Sequence, residues 1–194
     1  MIIQTPAPDE VTGHAAEMYS GDIADVGFVL SHTQALAVNP EAHQAFEGLL
    51  HAIVPSIGIR VYELATLGAA RAIGSSHCLL AHGRKTLRAE LMDEDQLARV
   101  ARDYTSAGLS EADVAVMAYA EKLSSDPRSM TDADSERLRA VGFSDRQIVD
   151  ITLAAAARNF LSRALLALAV PTDEVPDLGP ELVAALLSPL DPAP

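Results

Sequence analysis

The chain has 194 residues, of which 49% are apolar and only 4% aromatic, and a formal charge of −13 at neutral pH. That size suits one domain with a substantial core, and the acidic balance argues against nucleic acid or an anionic membrane as a partner. A single cysteine excludes an intrachain disulfide and a cysteine-based zinc site and suits a reducing, cytoplasmic setting.

Alanine and leucine dominate, β-branched runs are few, and no stretch reads as a strand, so the chain is expected to be all-α. Residues 1–8 read as an extended arm with two prolines, followed by a short helix from about Asp9 to Tyr19. No element is assigned from Gly21 to Ser31, although the apolar run Val26 to Leu30 suits a pocket wall or a subunit contact. Asn39-Pro40 is a helix start, with a capping residue before proline at the first position. This helix is expected to stop at Pro55. A second helix carries Glu63 and ends at Gly74, and Ser75 caps the next. Beyond His82 that helix turns basic at Arg84, Lys85 and Arg88, as suits a solvated last turn.

Further helices are expected from Asp93 to Tyr104, after Ser110, after Thr131 and after Ser144. The one after Ser144 reads as the longest, with Ile148, Ile151, Leu153, Leu161 and Leu165 inward and its end at Pro171. Residues 172–194 read as a second, proline-rich arm with a weak helix near Glu181–Leu187. The apolar stretch Ile151 to Val170 is interrupted by Arg158, Asn159, Ser162 and Arg163, so no membrane span is expected. Helices this rich in alanine and leucine, together with arms suited to exchange between subunits, point to a homo-oligomer.

The chemistry concentrates between Glu63 and His82. On one helix Ser75, Cys78 and His82 share a stripe, while His77 points about a quarter-turn away. Cys78 falls at the third helical position, where backbone N–H groups and the helix dipole favour a thiolate. Glu63 is the sole charged residue between Arg60 and Arg71, in apolar surroundings that raise a carboxyl pKa toward that of a general base. Ser75 also reads simply as a cap, and His82 as a core histidine. Glu63 has, beside its reading as a base, a lesser one as a buried partner for Arg60, Arg71 or Arg158. Asn159 and Arg163 share one helix face and read either as structural or as weak substrate-binding groups. His32, His43 and His51 show no ligand spacing and are given no role. His77, Cys78 and His82 do not converge as zinc ligands would, so no metal and no cofactor is expected.

The order Glu63-x11-Ser75-x2-Cys78-x3-His82 resembles the motif of the alkylhydroperoxidase D-like, peroxidase-related branch of the carboxymuconolactone decarboxylase family. The likeness is clearest from about Asn39 to Asp173. The chain departs from the pattern at Ser75, where that branch carries its first cysteine. The resemblance implies a single alkylhydroperoxidase D-like helical bundle over residues 1–194. It also implies that Cys78 is the attacking thiol, with no internal partner to resolve it. The leading expectation is therefore a one-cysteine hydroperoxide reductase in which Glu63 and His82 relay the proton and an external thiol completes the cycle. Two others stand beside it. One is a cofactor-free decarboxylase-like enzyme using Glu63 and His82 on a lactone or carboxylate. The other is a non-catalytic oligomeric binding protein.

Overall fold

The computed structural model describes residues 1–174 and 176–190, and among the described residues it is helical with no strand. Nine α-helices follow in order: α1 (Gly13–Val26), α2 (Ser31–Leu36), α3 (Pro40–Ile73), α4 (Ser76–Arg88), α5 (Glu94–Asp103), α6 (Glu111–Ser125), α7 (Asp132–Ala140), α8 (Asp145–Ala167) and α9 (Pro180–Leu187). α3 is the central element, packed along α6 and α8 and against α4, while α9 closes over α5 and α4.

The second half of α3 is built from small residues because it runs through the middle of the core. Ala65, Thr66, Ala69 and Ala70 are wholly buried there. A Cβ on Gly68 would stand 2.7 Å from the Met117 carbonyl oxygen, so α3 and α6 approach nearly backbone to backbone. The first half is more exposed and amphipathic. The two halves meet at Gly58, which adopts φ 76° and ψ 160°, a conformation that glycine takes without steric cost. The helix therefore does not stop at Pro55 as expected. The ring removes one N–H donor, which a helix can lose, and the chain changes direction three residues later.

The expected starts are observed where a side chain can satisfy an orphan N–H. Asn39, Ser75, Asp93, Ser110 and Ser144 each accept from the backbone three residues on. Thr131 and Asp134 form a capping box at α7.

Several boundaries and faces differ from expectation. α1 starts at Gly13 rather than Asp9 and continues to Val26, closed by Gly27 at φ 85°. α8, at 23 residues, is the longest uninterrupted helix among the described residues, as expected, since Gly58 divides α3. Leu153 faces outward on α8 at 39% exposure, on one stripe with exposed Val149 and Phe160. Arg84 is buried rather than solvated, because Asp25 and Asp177 pair with it. The C-terminal segment is no free arm: Leu182, Ala185 and Leu186 of α9 enter the core, and Leu186 fills the space a side chain at Gly83 would need. Residues 175 and 191–194 of that arm lie outside the described residues. The N-terminal arm lies along its own chain, where Ile2 N–H donates to Leu168 O and Tyr19 OH donates to Pro6 O.

Among the described residues α3, rather than Ile151 to Val170, is the helix that is long and apolar enough to cross a membrane by length and composition. More than half of its most apolar window is buried inside the fold, which is where the hydrophobicity is used.

Candidate active site

Gly74 in the left-handed region (φ 78°) ends α3 and lets Ser75 turn the chain into α4. This corner sets the N-terminus of α4 beside the middle of α8. Ser75 Oγ accepts the Cys78 N–H at 3.4 Å, which fixes the first turn but leaves the sulfur free to face α8.

Cys78 is only 3% exposed, and its sulfur meets two groups of α8. Ser162 Oγ is 3.0 Å away, and Arg158 Nη1 donates to the sulfur at 3.5 Å. Arg158 Nη2 donates to Tyr62 OH at 3.1 Å, while its Nε is buried without a partner. Burial works against the charge of Arg158, but the neighbouring Cys78 and Tyr62 raise its pKa overall, so the guanidinium stays charged beside the thiol. A cationic donor at this distance stabilises a thiolate far more than it does a thiol.

One turn along α4, His82 Nδ1 lies 2.6 Å from Glu63 Oε2, and both side chains are buried. Burial pushes Glu63 up to about 7, against the pull of Lys85 and Arg158. Burial, with Arg158, Lys85 and His32 adding like charge, holds His82 well below the ordinary imidazole value. With Glu63 ionised, His82 Nδ1–H donates to it and Nε2 is left as an acceptor. Glu63 thus changes charge near neutral pH beside a neutral imidazole.

Cys78, His82, Arg158 and Tyr62 line one cavity of about 170 Å³, with Phe46, Leu50 and Leu165 among its apolar walls and Lys85 on its exposed rim. Charged and reactive groups therefore converge from three helices onto a space suited to a small organic molecule.

The structure brings Glu63, Ser75, Cys78 and His82 together, and Glu63 takes His82 as its partner rather than an arginine. Arg60 binds Asp113 instead, and Arg71 lies near Glu121. His77 also lines the cavity, but its Nε2 meets the Pro171 carbonyl at 2.6 Å and its Nδ1 lies 3.4 Å from Thr172 Oγ1. It anchors the segment after α8 to the start of α4. Asn159 and Arg163 do not line the cavity. Asn159 donates to Ser124 Oγ at 2.8 Å, and Arg163 donates to Asn159 Oδ1 and to the Ser124 carbonyl, so the two tie α8 to the end of α6. The pair that meets the thiol is Arg158 and Ser162, one residue earlier and so about 100° round the helix. Sequence reasoning missed both in this role. The available signal was an arginine and a serine at i, i+4 spacing within an alanine-rich stretch.

Residues 40–122 match the sequence profile of the carboxymuconolactone decarboxylase family. No curated protein matches the chain. Among solved structures, an uncharacterized peroxidase-related protein with an alkylhydroperoxidase AhpD core, from Ralstonia eutropha JMP134, superposes with a TM-score of 0.77 at 21% identity over 96% of each chain. An uncharacterized peroxidase-related protein from Silicibacter sp. TM1040 gives 0.76 at 22% identity, covering 89% of this chain and 91% of that one. The debrominase Bmp8, solved as a cysteine-to-alanine variant in complex with 2,3,4-tribromopyrrole, gives 0.72 at 19% identity over 96% of each chain. These likenesses establish a shared fold across chains of diverged sequence. The segment that matches the carboxymuconolactone decarboxylase profile holds Glu63, Cys78 and His82.

Proposed function

We propose that the protein is a one-cysteine thiol enzyme that reduces organic hydroperoxides in a reducing compartment. The carrying observation is the buried Cys78 sulfur in contact with the Arg158 guanidinium and the Ser162 hydroxyl, on a cavity also lined by His82, which Glu63 backs from behind. His82 and Glu63 take up the thiol proton as Arg158 stabilises the thiolate. The thiolate attacks the distal peroxide oxygen and the O–O bond breaks. Cys78 becomes a sulfenic acid, and the leaving alkoxide takes up the stored proton as an alcohol. Ser75 cannot resolve the sulfenic acid, so two external thiols do so, releasing water and their own disulfide. Apolar walls favour an alkyl or aryl hydroperoxide over hydrogen peroxide.

Stoichiometric peroxide with a sulfenic-acid trap, read by intact mass, tests this. Trapping at Cys78 faster than at a small free thiol, lost in Cys78→Ser and slowed in Glu63→Gln, is expected. A rate equal to that of a free thiol and indifferent to Glu63→Gln would overturn it.

Arg158 also supports a second reading. No ion pair with a carboxylate is made by this guanidinium among the described residues. A substrate carboxylate could meet it while Glu63 and His82 act as acid and base on a lactone. Turnover that survives Cys78→Ser would favour this reading. The fold shared with a debrominase adds halogenated aromatics to the substrates worth assaying. The exposed α8 stripe of Val149, Leu153 and Phe160 supports the expected self-association, which sedimentation would test.

A further inference from the structure

His43 and Glu47 of the same cavity wall belong to a second cluster that the thiol chemistry does not use. His14 on α1 faces His43 and Glu47 on the first half of α3. His14 Nε2 is 2.9 Å from His43 Nδ1 and 3.4 Å from Glu47 Oε2, and His43 Nδ1 is 3.7 Å from that same oxygen. Three potential ligand atoms therefore face one another, brought from two helices.

We propose that His14, His43 and Glu47 form a divalent metal site of the zinc class. A tetrahedral ion with bonds of about 2.0–2.1 Å sets its ligand atoms roughly 3.3 Å apart. The three separations of 2.9, 3.4 and 3.7 Å bracket that spacing, so an ion is accommodated by small side-chain shifts. Two imidazoles and one carboxylate are a donor set that suits zinc.

The surroundings fit this role. Glu17 Oε2 lies 3.4 Å from His14 Nδ1, so that nitrogen can donate its proton to Glu17 and Nε2 is left as a lone pair aimed at the other two ligands. Such a carboxylate behind a ligating histidine fixes both tautomer and ring orientation. The histidine side chains are only 18% and 19% exposed, whereas Glu47 is 45% exposed and lets an ion enter. The three line a cleft of about 480 Å³ with room for an exchangeable water as fourth ligand. The ion ties α1 to α3. His43 and Glu47 also line the Cys78 cavity, while neither contacts the Cys78 sulfur, so the ion would share a wall with the thiol site without binding the thiol.

The experiment is a titration of chelator-stripped, tag-free protein with Zn2+ against a chromophoric competitor, alongside Co2+ followed by its visible absorption. One equivalent per chain is expected, with the strong visible bands of four-coordinate Co2+. Binding is expected to vanish in His14→Gln and in His43→Gln, to weaken about tenfold in Glu17→Gln, and to be unchanged in Cys78→Ser. Far-UV circular dichroism confirms that each variant is folded. Absence of stoichiometric binding in the micromolar range, or binding lost in Cys78→Ser but retained in the histidine variants, would overturn the site. Neither outcome bears on peroxide reduction by Cys78.

Discussion

Arg158 and Cys78, separated by 80 positions in the chain, meet with Nη1 3.5 Å from Sγ inside the protein. The guanidinium is held on its other side by Tyr62 OH, so its approach to the sulfur is set by two helices at once. Replacing it with methionine keeps much of the volume but removes the charge. Peroxide oxidation of Cys78 in Arg158→Met is expected to slow about tenfold to a hundredfold, the worth of one hydrogen bond to a charged group. Arg158→Lys should recover only part of this, since an ammonium cannot span both partners. Stopped-flow oxidation of the three chains gives the comparison, and equal rates would remove Arg158 from the mechanism.

Glu63 makes the pH dependence specific. Burial raises it from its ordinary value to about 7. Below that pH the folded carboxyl is protonated and cannot serve as the base. The rate of thiol oxidation is thus expected to rise through pH 7 in the parent chain and to lose that limb in Glu63→Gln. Stability carries the opposite sign. Between the ordinary glutamate pKa and about 7, the folded state retains a proton that the unfolded chain has released, so the parent loses stability as pH rises through this window. The loss is at most about 3 kcal/mol, and Glu63→Gln avoids it. His82, kept neutral by burial in both chains, acts in the other direction at lower pH and cancels in the comparison. The melting temperature of Glu63→Gln relative to the parent should therefore climb from pH 5 to pH 8.

Ser75 is where this chain departs from the two-cysteine pattern it resembles. Ser75→Cys sets a second thiol at the cap of α4, three positions before Cys78. Peroxide is expected to yield an intrachain disulfide in this variant, with loss of the trappable sulfenic acid, at a stability cost of about 1 kcal/mol from the weakened cap. Persistence of the sulfenic-acid adduct would show that the corner at Gly74 holds the two side chains too far apart to bond.

Gly68 tests the packing on which the site stands. A methyl there would meet the Met117 carbonyl, which cannot move without moving α6. Gly68→Ala should destabilise by about 1–3 kcal/mol. Gly48→Ala, on the same helix with nothing within 4 Å of the added carbon, should instead be stabilising by up to about 1 kcal/mol. Denaturant melts of the two variants read the difference directly.

Local chemistry made much of this visible in the sequence. Caps at Asn39, Ser75, Asp93, Ser110 and Ser144 depend on a few neighbouring residues, and the corner at Gly74 needs only the φ that glycine supplies. Burial of Glu63 followed from one charge in apolar surroundings, whereas its pairing with His82 was expected only in the proton relay that the resemblance suggested. Arg158 and Ser162 did not follow, because which face of α8 meets α4 is decided by how whole helices pack. An error of one residue there turns the choice by about 100° and gave Asn159 and Arg163 instead. Pro55 looked like a stop because its local effect is strong, yet the bend fell at Gly58, where the core required a change of direction. The meeting of His14 with His43 had no signal at all, since it depends on α1 folding back over α3.

The burial of Cys78 has a kinetic consequence. In a cycle without an internal partner, oxidant and reductant must reach the same sulfur through the same opening, one after the other. Each therefore competes with the other for the empty cavity, and an excess of either should slow turnover in a double-displacement pattern with mutual substrate inhibition. The narrowness of the space also selects the donor. A small thiol can diffuse in, whereas a folded protein would have to present an extended, exposed segment to reach the sulfur. In the proposed cycle the choice of electron source is then a matter of girth before it is one of redox potential.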